Sequence, residues 1–521
     1  MPRIIRKNYR FLFPLLSVIL ILPALMGLIH QGFPLTDDGG WMVVRFSAFY
    51  ETLRSGQFPV RFLMRLNNGY GYPVSDFLYP LFMYLGVPLH VLKLNFQDTI
   101  KALFALSLVF SSLFTFFWLR KIFDNLSSLT GALVYSLFPY YLYDVYKRGS
   151  LGEVLALSIL PFILWQFERR SMLFTSLGLG LIILSHNTLA ILLIPVVLLY
   201  VYLRNKKKKK FLFLALLFGI LISGFFSIPA LFDLQYTVFG KTQVSDFYNY
   251  FVGFSNFSIL GPVFLFVMFS SLTAFFIRTK ENKNFSLFLS SFVFSLLILF
   301  LITPLSRIIW SFVPFKGLIQ FPFRLVSVII PLVAFQAAFL ISVFDKWRKL
   351  LIFFVTLVLV FVSAKPLMFP SDYQYFPDTF YSTNQGTTTV RNEYMPKWVT
   401  NVPQTMYQSK VVVIGGNGKI NLEDSTPEKT VFSIFTPGKA TVQINTIYFP
   451  GWRAYVNKTE VPISYTNPMG LIRINLNKGT NNVKVVFSET SLRLLSDILS
   501  LLGISGLLLF AFLIKKKRLK L

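Results

Sequence analysis

Two adjacent aspartates, Asp37 and Asp38, are the residues best suited to chemistry, and they lie in the segment Thr36-Asp37-Asp38-Gly39-Gly40-Trp41. They follow an apolar stretch, Phe11 to Ile29, that is long enough to cross a bilayer. Neighbouring carboxylates repel each other and are costly to desolvate, so a pair at a membrane surface indicates a use such as accepting a proton or holding a cation. The alternative is a solvated loop in which Thr36 or Asp37 caps a short helix.

Basic residues are expected on the same side of the membrane as the acidic pair. Arginine has a planar fork that suits a lipid phosphate, although any single cation can also extend to the headgroup level without a specific ligand. Basic residues are usually rare in short outer loops, so their number here favours phosphate binding. The residues are Arg45, Arg54, Arg61, Arg65, Lys147, Arg148, Arg307, Lys316 and Arg324.

The elements that must position these residues are membrane helices. The chain has 521 residues, 54% hydrophobic and 14% charged, which excludes a soluble protein. The formal charge of +28 comes mostly from basic clusters in short breaks between apolar runs, such as Arg169 with Arg170 and Lys346 with Arg348 and Lys349. This pattern is typical of cytosolic loops and argues against a nucleic-acid partner. The chain has no cysteine, so disulfides and thiolate metal sites are excluded.

Placing each basic cluster in the cytosol predicts a multi-pass protein of the cytoplasmic membrane with both termini cytosolic. The apolar segment Phe77 to Leu94 is interpreted as interfacial, because counting it as a span would put every later basic cluster outside. The first helix is interpreted as uncleaved, because no signal-peptidase site follows it. Twelve spans are predicted, at 11–30, 98–119, 128–143, 152–167, 171–185, 188–203, 211–229, 257–277, 285–303, 324–343, 350–368 and 492–514.

The domain boundaries follow from this topology. Residues 1–368 form a transmembrane module with a first outer loop at 31–97, residues 369–490 an extracytoplasmic domain, and residues 491–521 a last helix with a basic cytosolic tail.

Alternating apolar residues and turn signals predict that the extracytoplasmic domain is a small antiparallel β-sandwich. Thr430 to Phe435 and Ala440 to Thr446 are predicted to form a hairpin, and Leu471 to Leu476 and Val483 to Phe487 to share an apolar face. Trp452 is interpreted as a core residue of the sandwich, with a sugar-stacking platform as the alternative.

Other polar residues near the outer helix ends are candidates for the walls of a site. Glu153, at the start of a span, is predicted to pair with Arg148, and His186 with Asn187 forms a polar break between two apolar runs. The three histidines, His30, His90 and His186, have no metal-ligand spacing. Charges are nearly absent inside the spans, which argues against an ion-coupled transporter.

The chain resembles the GT-C superfamily of membrane glycosyltransferases, since its first helix is followed at once by an acidic motif and a long outer loop. More narrowly, it resembles bacterial membrane proteins labelled 6-pyruvoyl-tetrahydropterin synthase-related and, more distantly, the YfhO-like family. This resemblance runs through nearly the whole chain. The residues that carry it are Thr36-Asp37-Asp38-Gly39, Gly69-Tyr70-Gly71-Tyr72-Pro73, Tyr143-Asp144-Val145-Tyr146-Lys147-Arg148-Gly149, Glu153, Ser185-His186-Asn187, Phe321-Pro322-Phe323-Arg324 and Tyr448-Phe449-Pro450-Gly451-Trp452.

Two features depart from these families. The family often has a histidine four residues beyond the second aspartate, where this chain has Met42, so a histidine role in the first loop is not expected. The zinc chemistry that the pterin-synthase label implies is also not expected, because the chain has three scattered histidines and no cysteine.

The resemblance implies an inverting glycosyltransferase that moves a sugar from a polyprenyl-phosphate donor to an extracytoplasmic acceptor, either a glycolipid, a cell-wall polymer or a protein. In this hypothesis Asp37 is the general base, and Asp38 orients the acceptor or holds a divalent cation, the one cofactor that the hypothesis allows. Membrane lipids and the envelope acceptor are the expected partners. The alternative is a non-enzymatic membrane protein that binds or moves lipid-linked sugars or organises envelope assembly. The residues assigned are Asp37 and Asp38 as catalytic, Arg45, Arg148 and Arg324 as phosphate ligands, and Tyr72, Glu153, His186 and Asn187 as site walls.

Overall fold

The computed structural model describes residues 3–205, 208–241, 247–274, 282–313 and 316–516. Helices make up most of these residues, and a set of strands follows them near the end of the chain. The helices are α1 Arg3–Ile19, α2 Met26–Ile29, α3 Gly39–Arg54, α4 Leu81–Val91, α5 Phe96–Leu119, α6 Asn125–Ser136, α7 Pro139–Tyr143, α8 Leu151–Glu168, α9 Met172–Ser185, α10 Asn187–Arg204, α11 Lys209–Asp233, α12 Gly261–Ala274, α13 Phe285–Leu301, α14 Arg307–Phe312, α15 Lys316–Ile319, α16 Val326–Ser342, α17 Lys346–Ala364, α18 Asp378–Thr383 and α19 Ser491–Lys515.

The strands form two larger sheets and one short pair. The strands are β1 Phe33–Pro34, β2 Tyr373–Gln374, β3 Val411–Gly415, β4 Lys419–Thr426, β5 Lys429–Thr436, β6 Ala440–Ile447, β7 Trp452–Val456, β8 Thr459–Val461, β9 Leu471–Leu476 and β10 Gly479–Phe487. The five-stranded sheet has the order β4-β5-β10-β7-β8 and the three-stranded sheet the order β3-β6-β9, while β1 pairs with β2.

The helical part has the membrane-spanning character that the sequence predicts. Seven helices of the described residues are long and apolar enough to cross a membrane, and the number rises to nine if each of two bent pairs is one span. The other three of the twelve predicted spans coincide with the shorter helices α6 with α7, α9 and α12. The end of the span predicted at 257–277, and the two chain ends predicted to be cytosolic, lie outside the described residues.

The segment predicted as interfacial contains one short helix. α4 has 11 residues, so at 1.5 Å per residue it is roughly 16 Å long, about half of the hydrocarbon thickness of a bilayer. The interfacial position of this segment stays a prediction, since α9 and α12, which coincide with predicted spans, are also short, with 14 residues each.

The two larger sheets pack face to face as a β-sandwich with one shared apolar core. The predicted apolar face of β9 and β10 is confirmed, because Ile474 and Val485 are almost completely buried. Trp452 is a core residue, 4% exposed, and its ring contacts those of Phe62 and Phe487.

The predicted hairpin between β5 and β6 is wrong. β5 pairs with β4 and β10, whereas β6 pairs with β3 and β9, so the turn carries the chain from one sheet to the other. A turn sequence specifies that the chain reverses but not which strands pair. Because this turn carries the chain from one sheet to the other, the apolar sides of β5 and β6 face the same core. The polar strand β4 was missed because most of its residues are exposed, which leaves little apolar alternation to detect.

The sandwich contacts the helical bundle through a buried group of charges that we call the Arg493 cluster. Its members are Arg61, Asp76, Asp233, Glu489, Arg493 and Asp497. Arg493 is completely buried and donates to Asp233 Oδ2 at 2.9 Å and to Asp76 Oδ2 at 3.2 Å. Its guanidinium also lies over the rings of Phe449 and Phe487 of the sandwich. The cluster therefore joins the first loop, α11, the start of α19 and the β-sandwich.

Candidate functional site

The acidic pair lies against the segment that precedes α8. The backbone N–H of Asp37 donates to the Lys147 carbonyl at 2.9 Å, and that of Asp38 to the Arg148 carbonyl at 2.7 Å. Gly149 makes this approach possible, since it has a φ of 67° and a Cβ there would lie 2.4 Å from Thr36 Oγ1. The short loop is thus fixed by backbone contacts, which leaves both aspartate side chains available.

The two aspartate side chains differ in exposure. Asp37 is 56% exposed, and its nearest cation is Lys147 at 3.9 Å, a surface pair that contributes little to stability. Asp38 is half-buried and precedes α3 without capping it. The cap is instead Thr36, whose Oγ1 accepts from the Gly39 N–H at 3.1 Å, as one of the two sequence interpretations predicted.

A second buried group of ionisable side chains lies beside the acidic pair, and we call it the Glu153 cluster. Its members are Asp144, Arg148, Glu153, His186 and Arg324. Glu153 is completely buried and accepts from Arg148 Nη1 at 2.5 Å and from Arg324 Nε at 3.0 Å. The predicted pairing of Glu153 with Arg148 is therefore confirmed, and Arg324 shares the same carboxylate.

Each arginine of the Glu153 cluster has further partners. Arg148 donates to Asp144 Oδ1 at 2.8 Å, and its guanidinium lies over the rings of Phe321 and Phe323. Burial lowers the pKa of Arg148, but Glu153 and Asp144 raise it more, so that the pKa stands well above its ordinary value. Arg324 also donates to the Ile319 carbonyl at 2.7 Å. Both arginines are thus already paired with protein groups.

Arg45 differs from the other two predicted phosphate ligands. It is 8% exposed and donates through Nε to Thr388 Oγ1 at 3.0 Å, with a further hydrogen bond to the Thr388 carbonyl. Within the part of the chain that the structure describes, no carboxylate forms a salt bridge with Arg45. Its positive charge is therefore the least neutralised of the three.

Tyr79 is a site residue that the sequence did not single out. Its ring packs against His186 with centroids 4.7 Å apart, and Gly152 provides the space, since a Cβ there would lie 2.3 Å from the Tyr79 ring. Burial raises the pKa of Tyr79 to about 12, and Arg45 and Asp38 are close enough to act on it with opposite signs. In the sequence Tyr79 is one of several tyrosines near Pro80, and no pattern indicates that it lies between the acidic pair and the Glu153 cluster.

The remaining predicted wall residues have structural partners. His186 Nδ1 accepts from the Leu189 N–H at 3.3 Å and so caps α10, while the exposed Asn187 donates to the Phe77 carbonyl at 3.2 Å. Tyr72 is completely buried, and its hydroxyl hydrogen-bonds to Thr389 Oγ1 at 2.9 Å. Tyr72 thus contacts the residue next to Thr388, the partner of Arg45.

A divalent cation was an option for the acidic pair. Among the described residues no group of three or more His, Cys, Asp or Glu side chains has the arrangement of a metal site. Two carboxylates still fit Mg²⁺, which usually takes one or two of them together with water and substrate phosphate. Asp37 and Asp38 are the residues that would hold it.

The chain matches a known family and has weaker likenesses to solved structures. The family described as "6-pyruvoyl-tetrahydropterin synthase related domain; membrane protein" matches residues 76–369. An uncharacterised protein of Lactococcus lactis subsp. cremoris (strain MG1363) is 25% identical over 326 residues, which are 55% of this chain and 53% of that protein. The chain therefore spans about half the length of this relative.

Two solved structures align at low scores. The arabinofuranosyltransferase AftD from Mycobacteria has a TM-score of 0.47 and 15% identity, covering 70% of this chain and 27% of AftD. The oligosaccharyltransferase AglB from Archaeoglobus fulgidus, in complex with an inhibitory peptide and a dolichol-phosphate, has a TM-score of 0.45 and 12% identity, covering 73% of this chain and 56% of AglB. The family match extends over more than half of the sequence, and the chain belongs to the 6-pyruvoyl-tetrahydropterin synthase-related family of membrane proteins.

Proposed function

We propose that the protein is a glycosyltransferase that moves a sugar from a polyprenyl-phosphate donor to an acceptor outside the cytoplasmic membrane. The observation that carries this proposal is the pair of backbone hydrogen bonds that hold Asp37 and Asp38 beside Lys147 and Arg148. A carboxylate pair next to buried cations provides a base for an acceptor hydroxyl and positive charge for a leaving phosphate.

Asp37 is the proposed general base, because its exposed carboxylate is accessible to an acceptor from solution. It removes the proton of the acceptor hydroxyl as the oxygen attacks the anomeric carbon. The bond from that carbon to the phosphate oxygen breaks, and its electron pair leaves with the phosphate on the lipid carrier. Direct attack inverts the anomeric configuration. Asp38 orients the acceptor or holds a divalent cation.

Arg45 is the proposed direct ligand of the donor phosphate, since it has no carboxylate partner in the described part of the protein. Arg148 and Arg324 are bound to Glu153, so they position the segment beside the acidic pair and are not proposed as direct phosphate ligands. This assignment narrows the three predicted phosphate ligands to one direct ligand, with the other two as positioning residues.

The second candidate is a non-enzymatic protein that binds or moves lipid-linked sugars or organises envelope assembly. One observation favours it: the salt-bridge partner of Asp37 is the exposed Lys147 and not an arginine, while Arg148 and Arg324 are already neutralised by carboxylates. In this case the acidic pair binds a ligand without proton transfer.

The two candidates differ in their response to Asp37→Asn. We would compare, by mass spectrometry, the envelope glycans of a deletion strain complemented with wild type, Asp37→Asn or the control Asp345→Asn, at equal protein levels. Asp345 is an exposed carboxylate at the start of α17. Loss of a positioned base lowers the rate by about 10² to 10⁴, so Asp37→Asn should abolish the glycan product and Asp345→Asn should not. Equal rescue by Asp37→Asn would contradict the general-base role.

A further inference from the structure

A polar cavity lies at the end of the bundle that is opposite the acidic pair. Its volume is about 170 Å³, and it is lined by Phe167, Glu168, Arg170, Arg204, Asn205, Lys208 and Phe211. A water molecule takes about 30 Å³ in the liquid, so the cavity has room for a group the size of a phosphate. Glu153 and Glu168 are near opposite ends of α8, which at 1.5 Å per residue separates the cavity from the Glu153 cluster by roughly 23 Å.

The charge of the cavity is positive. Three cations and one carboxylate line it, which leaves a formal charge of +2. The carboxylate of Glu168 is itself occupied, since its Oε1 accepts from Arg204 Nε at 2.8 Å and from the Tyr200 hydroxyl at 2.6 Å. Neither Arg170 nor Lys208 forms a salt bridge in the described part of the chain. Two cations are therefore left without a protein anion.

Arg204 is held in place rather than extended into solvent. Besides Glu168, it donates through Nη1 to Asn284 Oδ1 at 3.3 Å, and 23% of its side chain is exposed. Tyr200 in turn accepts from Trp118 Nε1 at 3.0 Å. This chain of hydrogen bonds orients a guanidinium at the cavity wall, and an oriented guanidinium is suited to phosphate recognition.

Arg170 occupies a backbone position that favours glycine. It follows the end of α8 with a φ of 58°, where its N–H donates to the Phe167 carbonyl at 2.9 Å. Arg170 therefore lies at the rim of the basic cavity in a backbone conformation that glycine adopts more readily.

We propose that this cavity binds a phosphate-bearing anion, with Arg170, Arg204 and Lys208 as its ligands. The bundle end that carries the cavity is the one predicted to face the cytosol, where anionic phospholipids give the membrane surface a negative potential. The same chemistry can come from a lipid headgroup or from free phosphate. The proposal is independent of the glycosyltransferase reaction, because it concerns the opposite end of the bundle.

The test uses the full chain in mild detergent and measures the rise in unfolding temperature on adding ligand at constant ionic strength. The probes are dioleoylphosphatidylglycerol, dioleoylglycerol, which has the same acyl chains and no phosphate, and inorganic phosphate. The variants are Arg204→Gln and Arg170→Gly, with Arg348→Gln as the control, since Arg348 is an exposed arginine of α17 outside the cavity. Arg170→Gly removes the charge and suits the left-handed backbone, so it keeps the test informative if Arg204→Gln does not fold.

We expect phosphatidylglycerol to stabilise the wild type and the control, and dioleoylglycerol to have no effect. Each cavity variant should need about tenfold more phosphatidylglycerol than the wild type for the same rise in unfolding temperature, because it loses a charge-assisted hydrogen bond to the phosphate. If inorganic phosphate gives the same rise with the same variant dependence, the bound anion is free phosphate. The proposal is overturned if neither phosphate source stabilises the wild type, or if the cavity variants respond like the control.

Discussion

The Glu153 cluster and the Arg493 cluster both bury two arginines among carboxylates, but they differ in where their residues come from. Most of the Glu153 cluster lies between Asp144 and Glu153, at the start of one helix, and it has one carboxylate for each arginine. The Arg493 cluster collects residues from as far apart as Arg61 and Asp497 and has four carboxylates for two arginines. The first cluster is mostly local and has equal numbers of arginines and carboxylates, whereas the second is long-range and has two more carboxylates than arginines.

This difference indicates that the Glu153 cluster positions the candidate site and that the Arg493 cluster joins two parts of the molecule. The Glu153 cluster fixes the segment against which Asp37 and Asp38 are hydrogen-bonded, so it supports the candidate site. The Arg493 cluster joins the bundle to the β-sandwich, and two of its buried oxygens, Asp76 Oδ1 and Glu489 Oε2, have no hydrogen-bond donor in the described structure. Because a buried arginine surrounded by carboxylates is costly to remove, the two clusters should respond differently to mutation.

The largest effect on stability is expected for Arg493→Met. The variant leaves Asp76 and Asp233 buried without the guanidinium that binds both, which should cost about 3–5 kcal/mol in the free energy of unfolding. Unfolding in mild detergent would measure it. Arg453→Met is the matched control, since Arg453 is exposed on β7. A loss below about 1 kcal/mol would show that the cluster does not join the two parts.

A smaller loss is expected for Glu153→Gln. Arg148 keeps its bond to Asp144 and Arg324 its bond to the Ile319 carbonyl, so the loss should be about 1.5–3 kcal/mol, the value of a hydrogen bond to a charged group. The same unfolding measurement applies. Glu51→Gln is the control, because the Glu51 carboxylate pairs with Arg65 while 47% exposed, and it should cost under about 1 kcal/mol. Equal losses for both variants would mean that the Glu153 cluster is no stronger than a surface pair.

Lys410 provides a contact between the sandwich and the first loop without any carboxylate. Burial lowers its pKa from 10.5 to about 7, and its Nζ donates to the Asn445 carbonyl of the sandwich at 3.0 Å and to Met64 Sδ of the first loop at 3.4 Å. Between pH 7 and 10.5 the unfolded chain holds a proton on this lysine that the folded chain has released, so stability should rise with pH in this window.

We expect the free energy of unfolding of the wild type to increase by about 2 kcal/mol between pH 7 and 9 through this group. Lys410→Met should lack this increase, and the control Lys419→Met, at an exposed position of β4, should retain it. Identical pH profiles for wild type and Lys410→Met would contradict the lowered pKa. The comparison tests whether Lys410, which is neutral in the folded protein above pH 7, makes the contact between the sandwich and the first loop sensitive to pH. We expect no such sensitivity from the contacts of Arg493.

The smallest effect on stability is expected for Asp37→Asn. Asp37 forms an exposed pair with Lys147 at 3.9 Å, and such pairs contribute about 0–1 kcal/mol. The unfolding temperature should therefore stay close to that of wild type, even where the glycan product is lost. A marked fall in the unfolding temperature would instead show that Asp37 has a structural role, like the residues of the two clusters.

Part of the site was predictable because its contacts are short-range. Arg148 and Glu153 are five residues apart at a helix start, so their pairing follows from local geometry, and Thr36 has the residue type and spacing of a helix cap. Arg324 was predicted as a phosphate ligand, but it lies 171 residues from Glu153, and nothing in its own segment indicated that partner. Tyr79 was missed for the same reason.

The sequence by itself determined that this is a membrane protein of many helices, because apolar length and the placement of basic residues are local properties of the chain. It also determined which strands have a buried face, since alternation is local. Only the tertiary structure decided how those strands pair and how Arg61 meets Asp497 across 436 residues. It also decided which of the three predicted phosphate ligands has no carboxylate partner among the described residues. Those outcomes depend on which residues far apart in the sequence pack together, and local patterns of residue types do not specify such long-range contacts.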